Sequence, residues 1–322
     1  MAFNRTNLES LTQKHIVPRL ADNTFKGCPF AYWLRENHAV KLAGGRNIVL
    51  PIIIKEGNFD WYDGVESADL EALEPFNSAQ FDWKWSRVPF AIPETDIDKN
   101  GGEDGVVNLL KSTQEWAEMT MIENISDGLY GDNSSDSQQL DGLQDMFDPT
   151  TSVVYGDLTP TDFVSPATWV VSEPALLTAN TLDEEEMRRM RGGVTRGVSK
   201  PNFGTCNFPV YNTIWRLAQN DQRFGMEKLA RIGFDHVMFE DMPIMPDEHA
   251  AGTGYGSTDN VLYFINMDYV QFWIHENKAF ATRVYDPPPQ QEVWIGKILL
   301  GCALTTNQRR AHAFTNDINP SL

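Results

Sequence analysis

The apolar positions of this chain change period several times, and each change marks an element. Residues 1 to about 43 read as an arm whose one periodic stretch is a short helical patch around Ala31 to Glu36. The turn formers Gly44-Gly45-Arg46-Asn47 introduce the β-branched run Ile48-Val49-Leu50-Pro51-Ile52-Ile53-Ile54, which predicts a strand. From Glu56 to Ser78 the chain is acidic, aromatic and rich in turn formers, after which Phe81, Trp83, Trp85, Val88 and Phe90 restore a largely alternating pattern. Two strands flanking a long irregular tip make an extended hairpin. A two-stranded ribbon with a tip of roughly twenty residues is marginal by itself and must pack on something. Phe59, Trp61, Tyr62, Phe76, Trp83 and Trp85 are of the residue types that anchor contacts between chains, so the partner expected for this ribbon is another subunit.

Beyond Pro93 the run Glu94-Thr95-Asp96-Ile97-Asp98-Lys99-Asn100-Gly101-Gly102 predicts a loop. Val106, Leu109, Leu110, Thr113, Ala117, Met121 and Ile125 then recur at spacings of three and four and predict a long helix over 104–128. The region 139–202 is mixed, with a charged helix around Asp183 to Arg191. Further helices are predicted from Pro209 and over Gly225 to Ile232. Short strands are predicted at Val237–Phe239, Val261–Ile265, Val270–Ile274, Ile295–Leu304 and Arg310–Phe314. An arm, a hairpin, a long helix and then interleaved helices and strands class the fold as α+β.

Composition narrows the function more than the fold. The 322 residues suffice for about two domains, and 41% hydrophobic content is that of a chain with a core. The run Ile48 to Ile54, broken by Pro51, is the longest apolar stretch and far too short to span a bilayer, so no membrane partner is expected. Met1 to Arg5 carries no apolar signal core. The net charge of −19 argues against gripping nucleic acid through its phosphates but leaves enclosing it open. Cys28, Cys206 and Cys302 lack metal or redox spacing and read as inert buried thiols.

Candidate chemistry is sparse. Gly252-Thr253-Gly254-Tyr255-Gly256 lacks the following helix that a dinucleotide loop needs and reads as a surface loop. Asp247-Glu248-His249 is a cation-binding candidate that reads more simply as a solvated loop. Asp96-Ile97-Asp98-Lys99-Asn100-Gly101 matches the first half of a calcium loop, with Asp104 at the ninth position. Val107 stands where the bidentate Glu belongs, and the Asx residues are expected to cap and turn the chain without metal. No catalytic residue, cofactor site or metal site is assigned, and the chain is not expected to be an enzyme.

Several segments resemble a known family. Thr24-Phe25-Lys26-Gly27-Cys28-Pro29-Phe30-Ala31-Tyr32-Trp33-Leu34-Arg35-Glu36-Asn37 and Gly44-Gly45-Arg46-Asn47-Ile48-Val49-Leu50-Pro51 are similar to the major capsid proteins of tailed bacteriophages with the Hong Kong 97 coat fold. Phe81-Asp82-Trp83-Lys84, Leu129-Tyr130-Gly131-Asp132, Asp141-Gly142-Leu143, Lys297-Ile298-Leu299-Leu300-Gly301 and Thr305-Thr306-Asn307-Gln308-Arg309 follow in the same order. The resemblance implies an N-terminal arm (1–43), an extended loop (44–92), a peripheral domain (93–205) with a spine helix (104–128), an axial domain (206–278) and C-terminal strands returning to the peripheral domain (279–322). It further implies pentamers and hexamers closing into an icosahedral shell around double-stranded DNA. The shell would form in the host bacterial cytoplasm with a portal, a scaffolding protein and in some cases a cement protein. The crosslink that some relatives form would here use Lys55 or Lys84 with an Asn such as Asn307 or Asn316, but ordinary surface lysines are the preferred reading. Two rivals stand beside this one: a nanocompartment shell of the same fold, separated by its cargo, and a calcium-binding module around 96–104 or 247–249, separated by calcium calorimetry and particle size.

Overall fold

A computed structural model describes residues 28–54, 61, 63–64, 76–99, 103–131, 136–148, 154–163, 171, 173, 180–219, 236–250, 260–285, 292–316 and 318–319. Helix α1 (Pro29–His38) starts at a proline whose missing N–H costs nothing there, and the Cys28 thiol accepts the Ala31 N–H. Phe30, Ala31 and Leu34 bury its inner face. The chain passes through β1 (Ala39–Leu42) into the ribbon of β2 (Asn47–Ile53) and β3 (Phe76–Asp82), which pair antiparallel as a sheet of two.

The alternating stretch beyond the ribbon is two strands and not one. β4 (Lys84–Pro93) turns away from β2 and pairs along its whole length with β11 (Val293–Thr306). Nine residues that the resemblance places in the extended loop, 84–92, therefore lie in the main sheet. That sheet has β11 at its centre, with β4 on one side and β10 (Ala281–Tyr285) and β9 (Val270–His275) in succession on the other. β1 closes the edge parallel to β9. Gly301 makes the β4 pairing possible at one point, because a Cβ there would lie 2.3 Å from the Trp85 ring.

The loop predicted over 94–102 is in part a short helix, α2 (Glu94–Lys99), with 100–102 outside the described residues. A helical backbone over Glu94–Lys99 differs from the turn-rich loop in which a calcium-binding loop begins. Helix α3 (Glu103–Tyr130) follows, one turn longer overall than predicted. Ala117, Met121 and Ile125 of the predicted stripe are buried, and Leu129 extends it. Its C-terminus meets Gly142, where a Cβ would lie 2.5 Å from the carbonyl oxygens of Gly128 and Gly131. Only glycine lets Asp141-Gly142-Leu143 lie across the helix end and start α4 (Leu143–Phe147) there.

A second sheet, in the order β12-β8-β5-β7-β6, is built from β5 (Phe203–Cys206), β6 (Val237–Phe239), β7 (Met242–Pro246), β8 (Leu262–Ile265) and β12 (Ala313–Thr315). The last of these was expected to begin at Arg310, but Arg309–Ala311 forms a 3-10 turn first. Helix α5 (Glu184–Val194) is capped by Asp183, whose carboxylate accepts the Glu186 N–H at 2.9 Å. It buries Met187, Met190 and Val194 with Val210, Tyr211 and Ile214 of α6 (Phe208–Gln219). The helix predicted over 225–232 and the glycine-rich run 252–256 lie outside the described residues. All three cysteines are free and buried, and burial raises the Cys302 thiol to about 12.

His312 is fully buried between the sheets. Its Nδ1 accepts the Asn266 backbone N–H at 3.1 Å, so the ring is neutral with its proton on Nε2, which donates to Thr306 Oγ1 at 3.1 Å. Burial first, and the Arg309 charge second, hold it down at about 3. The folded state therefore resists a proton that the unfolded chain accepts near 6.5. The stability from this group is present above that value and lost as pH falls from about 6.5 towards 3. The expected slope is about 1.4 kcal/mol per pH unit. Urea titrations of His312→Gln at several pH values should lack that increment.

Candidate functional site

The ribbon presents apolar side chains on both faces. One face belongs to the protein's own core: Ile48, Ile52, Ala79 and Phe81 are buried, Phe81 meets the Tyr155 ring edge-on at 5.1 Å, and the Gln80 N–H donates to the Gly156 carbonyl at 3.0 Å. The opposite face carries Val49, Ile53 and Phe76. Ile53 and Phe76 are directly paired across the two strands, 66% and 69% exposed. Trp61, from the tip between the strands, is 86% exposed. A strand with both faces apolar and one of them open to water is the pattern of an edge that another chain covers.

The six aromatic residues picked out in the sequence divide four ways. Trp61 and Phe76 are exposed, and Phe59 and Tyr62 lie outside the described residues. Trp83 is a correction: it is 7% exposed, packed in the protein's own core, and so unavailable to a neighbour. Trp85 is half exposed, on a ledge made by Trp83, which stacks on it at 6.1 Å, and His275 at 5.3 Å, with the Lys278 ammonium 3.9 Å from its ring centre. A second outward apolar pair, Trp116 and Met119, stands one turn apart on α3.

Lys84 is committed within the chain, to Asp141 at 3.1 Å and the Ser137 carbonyl at 2.8 Å. Lys55 lies outside the described residues.

The structure also assembles a polar knot that sequence reasoning missed. Asp247, read as part of a solvated loop, is 4% exposed. Its Oδ2 accepts the Cys28 thiol at 2.9 Å and the Tyr130 hydroxyl at 3.1 Å, its Oδ1 accepts the His249 N–H at 3.1 Å, and Tyr130 also meets Thr205 Oγ1 at 2.8 Å. Burial pushes the Asp247 carboxyl up against the pull of these donors, and pushes the Cys28 thiol and Tyr130 phenol well up. The knot joins α1, the end of α3, β5 and the loop after β7. The available signal was the buried run Ile244-Met245-Pro246 just before Asp247.

No protein-family model and no curated protein matches the chain. Solved structures do match. The capsid asymmetric unit of cyanophage A-1(L) superposes with a TM-score of 0.64 at 12% identity, covering 88% of this chain and 90% of that one. The capsid of the native GTA particle gives 0.59 at 10%, covering 89% and 90%. The chain has the Hong Kong 97-type coat fold. Another structure similar to it is the SrpI encapsulin of Synechococcus elongatus PCC 7942, with a TM-score of 0.55 at 11% identity over 100% of this chain and 98% of that one. Among the described residues the 28-residue α3 is the longest helix, and the β2–β3 ribbon is a two-stranded sheet apart from the two five-stranded ones.

Proposed function

We propose that this protein is the major capsid protein of a tailed bacteriophage, assembling as pentamers and hexamers into an icosahedral shell around double-stranded DNA. The observation that carries the reading is the outward apolar face of the ribbon, Val49, Ile53 and Phe76, together with the exposed Trp61 of its tip, on a coat fold shared with phage capsids. In this reading the ribbon is the extended loop, α3 the spine helix, the sheet around β11 the peripheral domain and the sheet around β5 the axial domain. A portal and a scaffolding protein act during assembly in the host cytoplasm, and the role is structural, without catalysis. The acidic charge of −19 suits a wall that surrounds a polyanion without adhering to it.

A second reading, a nanocompartment shell, is favoured by the encapsulin match over the full chain. Cargo separates the two. Particles purified from the native source should hold nuclease-protected DNA of genome length; a uniform protein cargo without DNA would instead establish the compartment.

A further inference from the structure

We propose that Glu123, Asp127 and His249 form a binding site for one first-row divalent transition-metal ion, with zinc as its representative. The ion would clamp the C-terminal part of α3 to the loop after β7. Glu123 and Asp127 are four residues apart on α3 and share a face. His249 reaches them from the loop, with Nδ1 2.6 Å from Asp127 Oδ1, and one ligand atom from each of the three residues lies within 4.8 Å of the others.

Three features distinguish this group from scattered surface acids. First, the histidine is held in place. Its side chain is 8% exposed, and its backbone N–H is bonded to Asp247, which the Cys28 thiol and the Tyr130 hydroxyl hold in the interior. Second, the charges do not balance. Glu248 Oε1 lies 3.6 Å from Nε2, so three carboxylates surround an imidazole that supplies one positive charge at most. Among the described residues no Lys or Arg forms an ion pair with Glu123, Asp127 or Glu248. Third, one imidazole nitrogen with two carboxylate oxygens is a donor set for zinc, manganese or cobalt, whereas calcium takes six or more oxygens. Ligand atoms about 2.1 Å from a tetrahedral zinc stand roughly 3–3.5 Å from one another. The His249 to Asp127 contact would open by under about 1 Å, the exposed Glu123 carboxylate would swing in, and water would complete the shell.

The site is independent of the shell reading, and its failure would leave that reading untouched. The test is titration calorimetry with zinc on the full-length, tag-free chain, stripped with a chelator and dialysed. One ion per chain is expected, with Glu123→Gln and His249→Ala each weakening binding at least tenfold and abolishing the zinc-induced rise in Tm. Glu123 is exposed, so its substitution keeps the fold even where His249→Ala does not, and circular dichroism checks both. Absence of zinc binding, or unchanged binding in folded Glu123→Gln, would overturn the proposal. So would calcium binding as tight as zinc and indifferent to His249→Ala.

Discussion

Arg309→Met should lower the stability of the subunit by about 3 kcal/mol or more, a large fraction of the roughly 5–15 kcal/mol that holds a typical domain folded. The guanidinium is fully buried. It donates from Nε to the Met146 carbonyl at 2.9 Å and from Nη2 to the Asp148 carbonyl at 2.6 Å, and lies 5.2 Å from the Tyr155 ring centre. Methionine fills much of the volume but takes the guanidinium donors away from the Met146 and Asp148 carbonyls, each loss costing roughly 1–3 kcal/mol. The same segment supports Phe147, whose ring packs on Tyr263, His312 and Phe314, so the loss spreads into the second sheet. Arg309→Lys should fall between Arg309→Met and the parent chain, because an ammonium on a flexible stem cannot span both carbonyls as the fork does. Urea midpoints of the three chains measure this. Midpoints that coincide would mean that the fork is dispensable.

Ile53→Lys combined with Phe76→Glu should leave the subunit folded and abolish closed particles. The two positions are paired across the ribbon on its outward face, so opposite charges there keep the strands together while removing the apolar surface. An interface residue of this kind contributes about 2 kcal/mol, or roughly thirtyfold in affinity, and symmetry repeats the loss at every subunit of a shell. Trp61→Ala, or a short Gly-Ser linker in place of residues 58–75, should act in the same direction. Folding survives because β2 and β3 keep their buried face of Ile48, Ile52, Ala79 and Phe81. Circular dichroism should match the parent chain, and electron micrographs should lack shells. An unfolded double variant would show instead that the ribbon's outward face belongs to the core.

Sequence periodicity located the elements that repeat a pattern over many residues. The α3 stripe ending in Ala117, Met121 and Ile125 was legible because spacings of three and four sustained over about five turns from Val106 leave no other reading, and the β-branched run of β2 was equally plain. What it missed were short strands whose partners are remote. β5, Phe203–Cys206, is buried on both faces, and four residues of Phe-Gly-Thr-Cys carry no alternation to read. The division of 76–93 into β3 and β4 was invisible because alternation continues through Asp82-Trp83-Lys84, and only the pairing of β4 with β11 some 200 residues later separates them. Trp83 was misassigned for the same reason: a tryptophan in an alternating strand reads alike whether its face meets the core or a neighbour. Asp247 and His249 stood out as a cation candidate, but their partners were not legible, because a buried carboxylate is recognised by its donors and Cys28, Tyr130 and Asp127 come from distant positions.

Cryo-electron microscopy of the assembled full-length chain tests most directly whether the ribbon is a contact between subunits. The expected image is a closed shell in which Ile53, Phe76 and Trp61 of each copy are covered by an adjacent copy. A chain that stays monomeric at high concentration, or a shell in which these three side chains face solvent, would contradict it.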